Sequence, residues 1–225
     1  MRRIINPPGT GPDPQVLAGF QDLLRIMSPS CVVADSQERC GVLRSDIRPL
    51  FESRFVGTAL TVRLFPGDLV DCLDALSVAR KGDVIIVDAA GETETSIWGG
   101  LMAGLCQQKG VAGAVVDGAI RDTDEIKSLG FPIFSRAIVP RSTHSPYSKR
   151  LEPIEVNVPI TCATILVSPG DVVLADEIGV VVVAAHEAAD VLKRAQEQAA
   201  QEEATRQRIR QGKTVEELLA EFGRL

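Results

Sequence analysis

Asp117, Arg121 and Asp122 follow the apolar run Gly113 to Val116, which reads as a buried strand delivering them to its carboxyl end. Open α/β sheets bind ligands beyond the carboxyl ends of their strands. A carboxylate there can hold Mg²⁺, which takes one or two protein carboxylates and keeps several waters. A guanidinium beside it can clamp a substrate carboxylate through two parallel hydrogen bonds. Upstream, Gly99 and Gly100 open an apolar helix that ends at Gly110. The free N–H groups of its first turn are a natural anion site. The same residues also have a purely structural reading. Asp122 with Glu125 matches a capping box for the next helix, Arg121 can simply neutralise Asp117 or Asp122, and the two glycines can serve close packing alone.

Other chemistries find little support. The two histidines, His144 and His186, have no partner at metal-ligand spacing, which argues against a Ser-His-Asp or Cys-His engine. The lysines fall in turns or on polar helix faces, whereas an imine-forming lysine needs a desolvated site. Gly212-Lys213-Thr214 imitates the end of a phosphate loop, but Gln207 stands where that motif needs glycine, and no strand precedes it. The five cysteines are scattered, with no C-x-x-C pair, and read as reduced and mostly buried.

Several elements must position the corner. Residues 1–14 carry four of the thirteen prolines and read as a loose arm. A helix is expected from Asp13-Pro14 to about Met27, stopped by Ser28-Pro29-Ser30, with a short strand or strand entry at Cys31 to Ala34. Residues 35–54 read as irregular. Phe55 to Phe65 reads as a strand, Asp68 to Arg80 as a helix, and Val84 to Val87 as a strand covered on both faces and ending in Asp88. After the central corner come a polar loop from Pro140 to Pro153 and two β-rich stretches, Ile154 to Val167 and Val172 to Val183. A long helix from about His186 to Gln211 loses its apolar positions after Ala199. That leaves a polar end for solvent or for a partner subunit. Thr214 with Glu217 forms a capping box for a last short helix.

The chain has 225 residues, 45% of them hydrophobic and 4% aromatic, which fits an α/β protein with a substantial core. A net charge of −6 argues against a nucleic-acid surface. No apolar run nears membrane-spanning length and no signal core follows Met1, so a cytoplasmic protein is expected, with no nucleic-acid or membrane partner.

The runs W-G-G-L-M-A from Trp98, G-V-A-G-A-V-V-D-G-A-I-R-D from Gly110 and G-F-P-I-F from Gly130 resemble the RraA-like family. Within it they resemble the branch of 4-hydroxy-4-methyl-2-oxoglutarate/4-carboxy-4-hydroxy-2-oxoadipate aldolases. The similarity runs from Ser30 to about Gly212. It implies a swivelling β/β/α domain, an α/β/β/α-type sandwich, spanning 15–185 as one compact domain. Residues 186–225 would form a helical extension reaching between subunits of a trimer or hexamer. The resemblance further implies a metal-dependent enzyme that cleaves a 4-hydroxy-2-oxo dicarboxylic or tricarboxylic acid to pyruvate and also decarboxylates oxaloacetate. On that match Asp122 would bind Mg²⁺ or Mn²⁺ directly. Arg121 would contact pyruvate or its enolate, and the backbone of Gly99, Gly100, Leu101 and Met102 would receive the pyruvate carboxylate. Glu202, with Glu203 as competitor, would reach the metal's water shell in a neighbouring subunit. One departure is plain: several of these aldolases carry an acidic residue where this chain has Gly100, and Asp117 or Glu202 would have to compensate. The family also includes regulators that bind and inhibit ribonuclease E, which keeps a protein-binding role as the alternative.

Overall fold

The runs that read as doubly covered strands form the centre of one mixed sheet. The computed structural model describes residues 3–65, 72–143 and 154–223. In chain order the elements are β1 (Ile4–Ile5), α1 (Pro14–Leu23), α2 (Pro29–Ser36), β2 (Arg48–Pro49), β3 (Phe55–Arg63), a 3₁₀ turn (Leu73–Ser77) and β4 (Asp83–Trp98). Next come α3 (Gly100–Lys109), β5 (Gly113–Ile120), α4 (Thr123–Leu129), β6 (Ile133–Ile138), β7 (Glu155–Val156), β8 (Ile160–Cys162) and β9 (Ile165–Val167). The chain finishes with β10 (Val172–Ala175), β11 (Val180–Val183), α5 (Ala188–Arg210) and α6 (Val215–Phe222).

The main sheet runs β1-β7-β3-β4-β5-β6-β2, with β10 paired to β3 and β11 to β10. β3, β4, β5 and β6 are mutually parallel, so their carboxyl ends share one edge. Their alternating side chains feed two cores. Ile85, Val87, Ala114 and Val116 face α3 and α4, where Trp98 stacks on Phe131. Val84, Ile86, Val115 and Phe134 face the β8–β9 hairpin. A third cluster packs α1, α2 and α5 against β10 and β11. Each fully buried aliphatic side chain contributes roughly 1.5–3 kcal/mol over exposure, which explains why these strands tolerate so few polar residues.

Four expectations need correcting. The amino-terminal arm is tied down, since Ile4–Ile5 pairs in parallel with Glu155–Val156. α1 starts at Pro14 as read, with Asp13 capping Gln15 N–H, but stops at Leu23, and Arg54 takes the carbonyls of Leu24 and Ile26. Cys31 to Ala34 is helix, not strand. Pro29 opens α2, Asp176 grips the N–H and hydroxyl of Ser30, and Val32 and Val33 bury in the third core. β4 does not end at Asp88 but continues to Trp98 through register shifts against β5. Of Asp68 to Arg80, residues 68–71 lie outside the described residues, and a 3₁₀ turn at Leu73–Ser77 replaces the expected α-helix. The loop prediction at Pro140 to Pro153, with His144, falls largely outside the described residues. Thr214 and Glu217 do form the capping box of α6, which accounts for the phosphate-loop imitation.

Candidate active site

The paired glycines and the Arg121-Asp122 dipeptide are brought together by backbone. β4 and β5 pair as far as Trp98 and Ile120, and Arg121 N–H then donates to Trp98 C=O at 2.9 Å. The two strands therefore release their next residues side by side. Asp122 takes a left-handed conformation, φ 53°, which a non-glycine side chain disfavours and which the fold here imposes. The expected Asp122–Glu125 capping box does not form: Asp122 makes no cap hydrogen bond to α4. Its Oδ2 accepts instead from Gly100 N–H at 3.1 Å and lies 3.6 Å from Arg121 Nε. The first turn of α3 leaves Leu101 and Met102 N–H without intrahelical acceptors.

Both glycines are required by close approach. A Cβ on Gly99 would sit 2.5 Å from Asp122 Oδ2, and one on Gly100 would overlap the Glu125 carboxylate. Glu125 thus fills the space that an acidic side chain at position 100 would occupy. Sequence reading missed it, because its spacing from Asp122 already had an ordinary explanation as a cap. Beside this corner is a cavity of about 180 Å³, lined by Trp98, Gly99, Leu101, Met102, Arg121 and Asp122 among others. No group of three or more His, Cys, Asp or Glu suited to a metal occurs among the described residues. Two carboxylates abutting one helix start still match what Mg²⁺ takes from a protein. Cysteine chemistry is disfavoured, since burial pushes the Cys106 thiol up to about 12.

Asp117 stands apart from this corner. It lies inside β5, not beyond it, and its side chain faces the β8–β9 hairpin. Arg136 Nε donates to its Oδ1 at 2.7 Å, and Ala163 N–H donates to its Oδ2 at 2.6 Å. The hairpin turn places Ala163 and Thr164 at φ 45° and 77°, so the aspartate anchors a strained turn. Arg136 also pairs with Asp46.

Asp88 is in register with Asp117 on one side and Arg63 on the other. Burial first, and then the Asp117 charge, raise its pKa above the ordinary 3.8, with Arg63 working against them. A carboxyl that holds its proton better when folded loses stability as pH rises from 3.8 upward. Asp88→Asn is therefore expected to raise the melting temperature at neutral pH. The gain should vanish as pH is lowered toward 3.8, which thermal melts across pH will check.

Glu202 sits on the polar half of α5, away from the cavity. It accepts from Gln198 Nε2 at 3.1 Å and from Arg206 at 2.6 Å, within an open groove of about 1060 Å³ between α2 and α5. Glu203 pairs with Arg206 and Arg210. The structure brings Gly99, Gly100, Leu101, Met102, Arg121 and Asp122 together, adds Glu125, and separates Asp117 and Glu202 from them within one chain.

Comparison with known proteins bears on this corner. The family model RraA-like, described as Aldolase/RraA, matches residues 30–182. A proposed 4-hydroxy-4-methyl-2-oxoglutarate aldolase of Halalkalibacterium halodurans is 37% identical over 80% of this chain and 84% of its own. The 4-hydroxy-4-methyl-2-oxoglutarate aldolase of Thermus thermophilus is 35% identical over 56% of this chain and 74% of its own. Among solved structures, Streptomyces coelicolor RraAS2, described as an unusual member of the RNase ES inhibitor RraA family, superposes with a TM-score of 0.74. It is 28% identical, covering 88% of this chain and 99% of that one. No helix among the described residues is long and apolar enough to cross a membrane.

Proposed function

The chain belongs to the RraA-like family, and from that premise we propose that it cleaves 4-hydroxy-2-oxo acids to pyruvate with the help of Mg²⁺ or Mn²⁺. The observation that carries this reading is the convergence of Asp122 and Glu125 on the Gly99-Gly100 helix start, with Arg121 beside them. Asp122 and Glu125 would hold the ion, which when bound supplies Lewis-acid polarisation of the substrate's 2-oxo group. The N–H groups of Leu101 and Met102 would receive the pyruvyl carboxylate, favoured by the helix dipole. The C4 hydroxyl loses its proton to a base, the C3–C4 bond breaks, and its electron pair passes into the enolate of pyruvate. Arg121 faces the developing negative oxygen, where a fixed guanidinium stabilises charge far better than water does. The dicarboxylic and tricarboxylic substrates implied by the resemblance share this pyruvyl half. Oxaloacetate, which yields the same enolate, would be decarboxylated.

Glu125 answers the missing acid at position 100 without help from Asp117. Glu125→Gln is expected to weaken Mg²⁺ binding about 10- to 100-fold. Gly100→Ala, whose methyl would overlap that carboxylate, should do the same; calorimetric titration with Mg²⁺ reads both. Unchanged affinity in both variants would sink the assignment.

Glu202 enters this proposal only through a neighbour. In a trimer or hexamer the polar half of α5 would bring it to the next subunit's cavity. Glu202→Gln should then lower turnover while light scattering shows the oligomer intact. A regulatory role is the second reading, favoured by the likeness to RraAS2. It predicts a protein partner, ribonuclease E by the resemblance, whose binding survives Asp122→Ala.

A further inference from the structure

The cavity beside α3 has two unlike walls. Gly99, Arg121 and Asp122 form the polar one, and Leu73, Ile97 and Met102 face it, with Leu101 at the lip. Leu73 and Leu101 remain 45% and 80% exposed, so two large apolar side chains stand uncovered where a ligand would enter. Exposed apolar surface rimmed by polar groups marks a ligand groove. Arg121 is the one cation among the described residues that line the cavity, and the proposed reaction commits it to the enolate. A second carboxylate on the departing half would lose its water against leucine without gaining a partner.

We infer that the cavity selects 4-hydroxy-2-oxo acids whose departing half is an uncharged alkyl ketone or aldehyde, with Leu73 and Leu101 as the specificity-determining side chains. The inference rests on the aldolase reading and narrows its substrate. With 4-hydroxy-4-methyl-2-oxopentanoate, the C4 hydroxyl gives up its proton, the C3–C4 bond breaks and C4 leaves as acetone. The enolate then takes a proton at C3 to become pyruvate. The same cleavage of 4-hydroxy-4-methyl-2-oxoglutarate releases a second pyruvate, whose carboxylate would face the leucines.

The test compares kcat/KM for these two substrates with Mg²⁺, scoring two pyruvates per cleavage for the dicarboxylate. Oxaloacetate serves as a third substrate that needs only the enolate site. The alkyl substrate should be favoured by about tenfold or more. Leu73→Arg, on a half-exposed 3₁₀ turn, should shift the ratio toward the dicarboxylate by a similar factor. A ratio near one, a preference for the dicarboxylate, or no change in Leu73→Arg would overturn the inference and leave the aldolase intact. Turnover of oxaloacetate alone would also overturn it. Silence on all three substrates would strike the aldolase reading itself, and the inference with it.

Discussion

Asp122→Ala is expected to abolish Mg²⁺ binding and to cut kcat/KM for pyruvate release by about 10³-fold or more. The carboxylate has no structural duty that would explain its place. It caps nothing in α4, it holds a left-handed φ of 53°, and its Oδ2 turns to Gly100 N–H at the mouth of the cavity. Alanine would also relax none of the backbone, because the strain is set by the junction of β5 and α4. A folded variant that has lost the metal is therefore the expected product, read by calorimetry, circular dichroism and a pyruvate assay. Full metal affinity in Asp122→Ala would contradict the assignment. Retained turnover would do so independently.

Asp117→Asn is expected to act on stability. The aspartate and Arg136 form a nearly buried pair, with side-chain exposures of 7% and 15%. Removing one charge of such a pair leaves the other uncompensated, at about 3–5 kcal/mol. For a domain of this size that corresponds to a fall in melting temperature on the order of 10 °C. The β8–β9 hairpin should loosen first, because Ala163 N–H loses its anionic acceptor. Hydrogen exchange at Ile160 to Val167 would show this. Turnover per folded molecule should stay near that of the parent, which separates Asp117 from Asp122. A stable variant with lost turnover would instead return Asp117 to the catalytic group.

The corner was legible in the sequence because its signals are local. Two adjacent glycines before an apolar helix, and a charged dipeptide after a Val/Ala strand, need only chain order to be read. Asp117 was misplaced for a reason of pleat. β5 continues past it to Ile120, so its side chain falls on the face opposite α3, and its partner Arg136 is on the next strand. Nothing in the spacing of residues 117 to 122 distinguishes a strand that stops at Val116 from one that runs on. Glu125 was hidden by an alternative that local rules explain equally well, and only the bulk a side chain would need at Gly100 exposes its role. α2 was misread because its β-branched Val32 and Val33 favour strand, whereas burial against α5 decides for helix.

The most direct test couples pyruvate release from 4-hydroxy-4-methyl-2-oxoglutarate, 4-hydroxy-4-methyl-2-oxopentanoate and oxaloacetate to lactate dehydrogenase and NADH. It is run with Mg²⁺ or Mn²⁺, then with EDTA, and then with Arg121→Ala. The account predicts metal-dependent pyruvate release that EDTA abolishes and that Arg121→Ala lowers about 10²- to 10³-fold. Release that survives EDTA, or no release from any of the three with metal present, would contradict it.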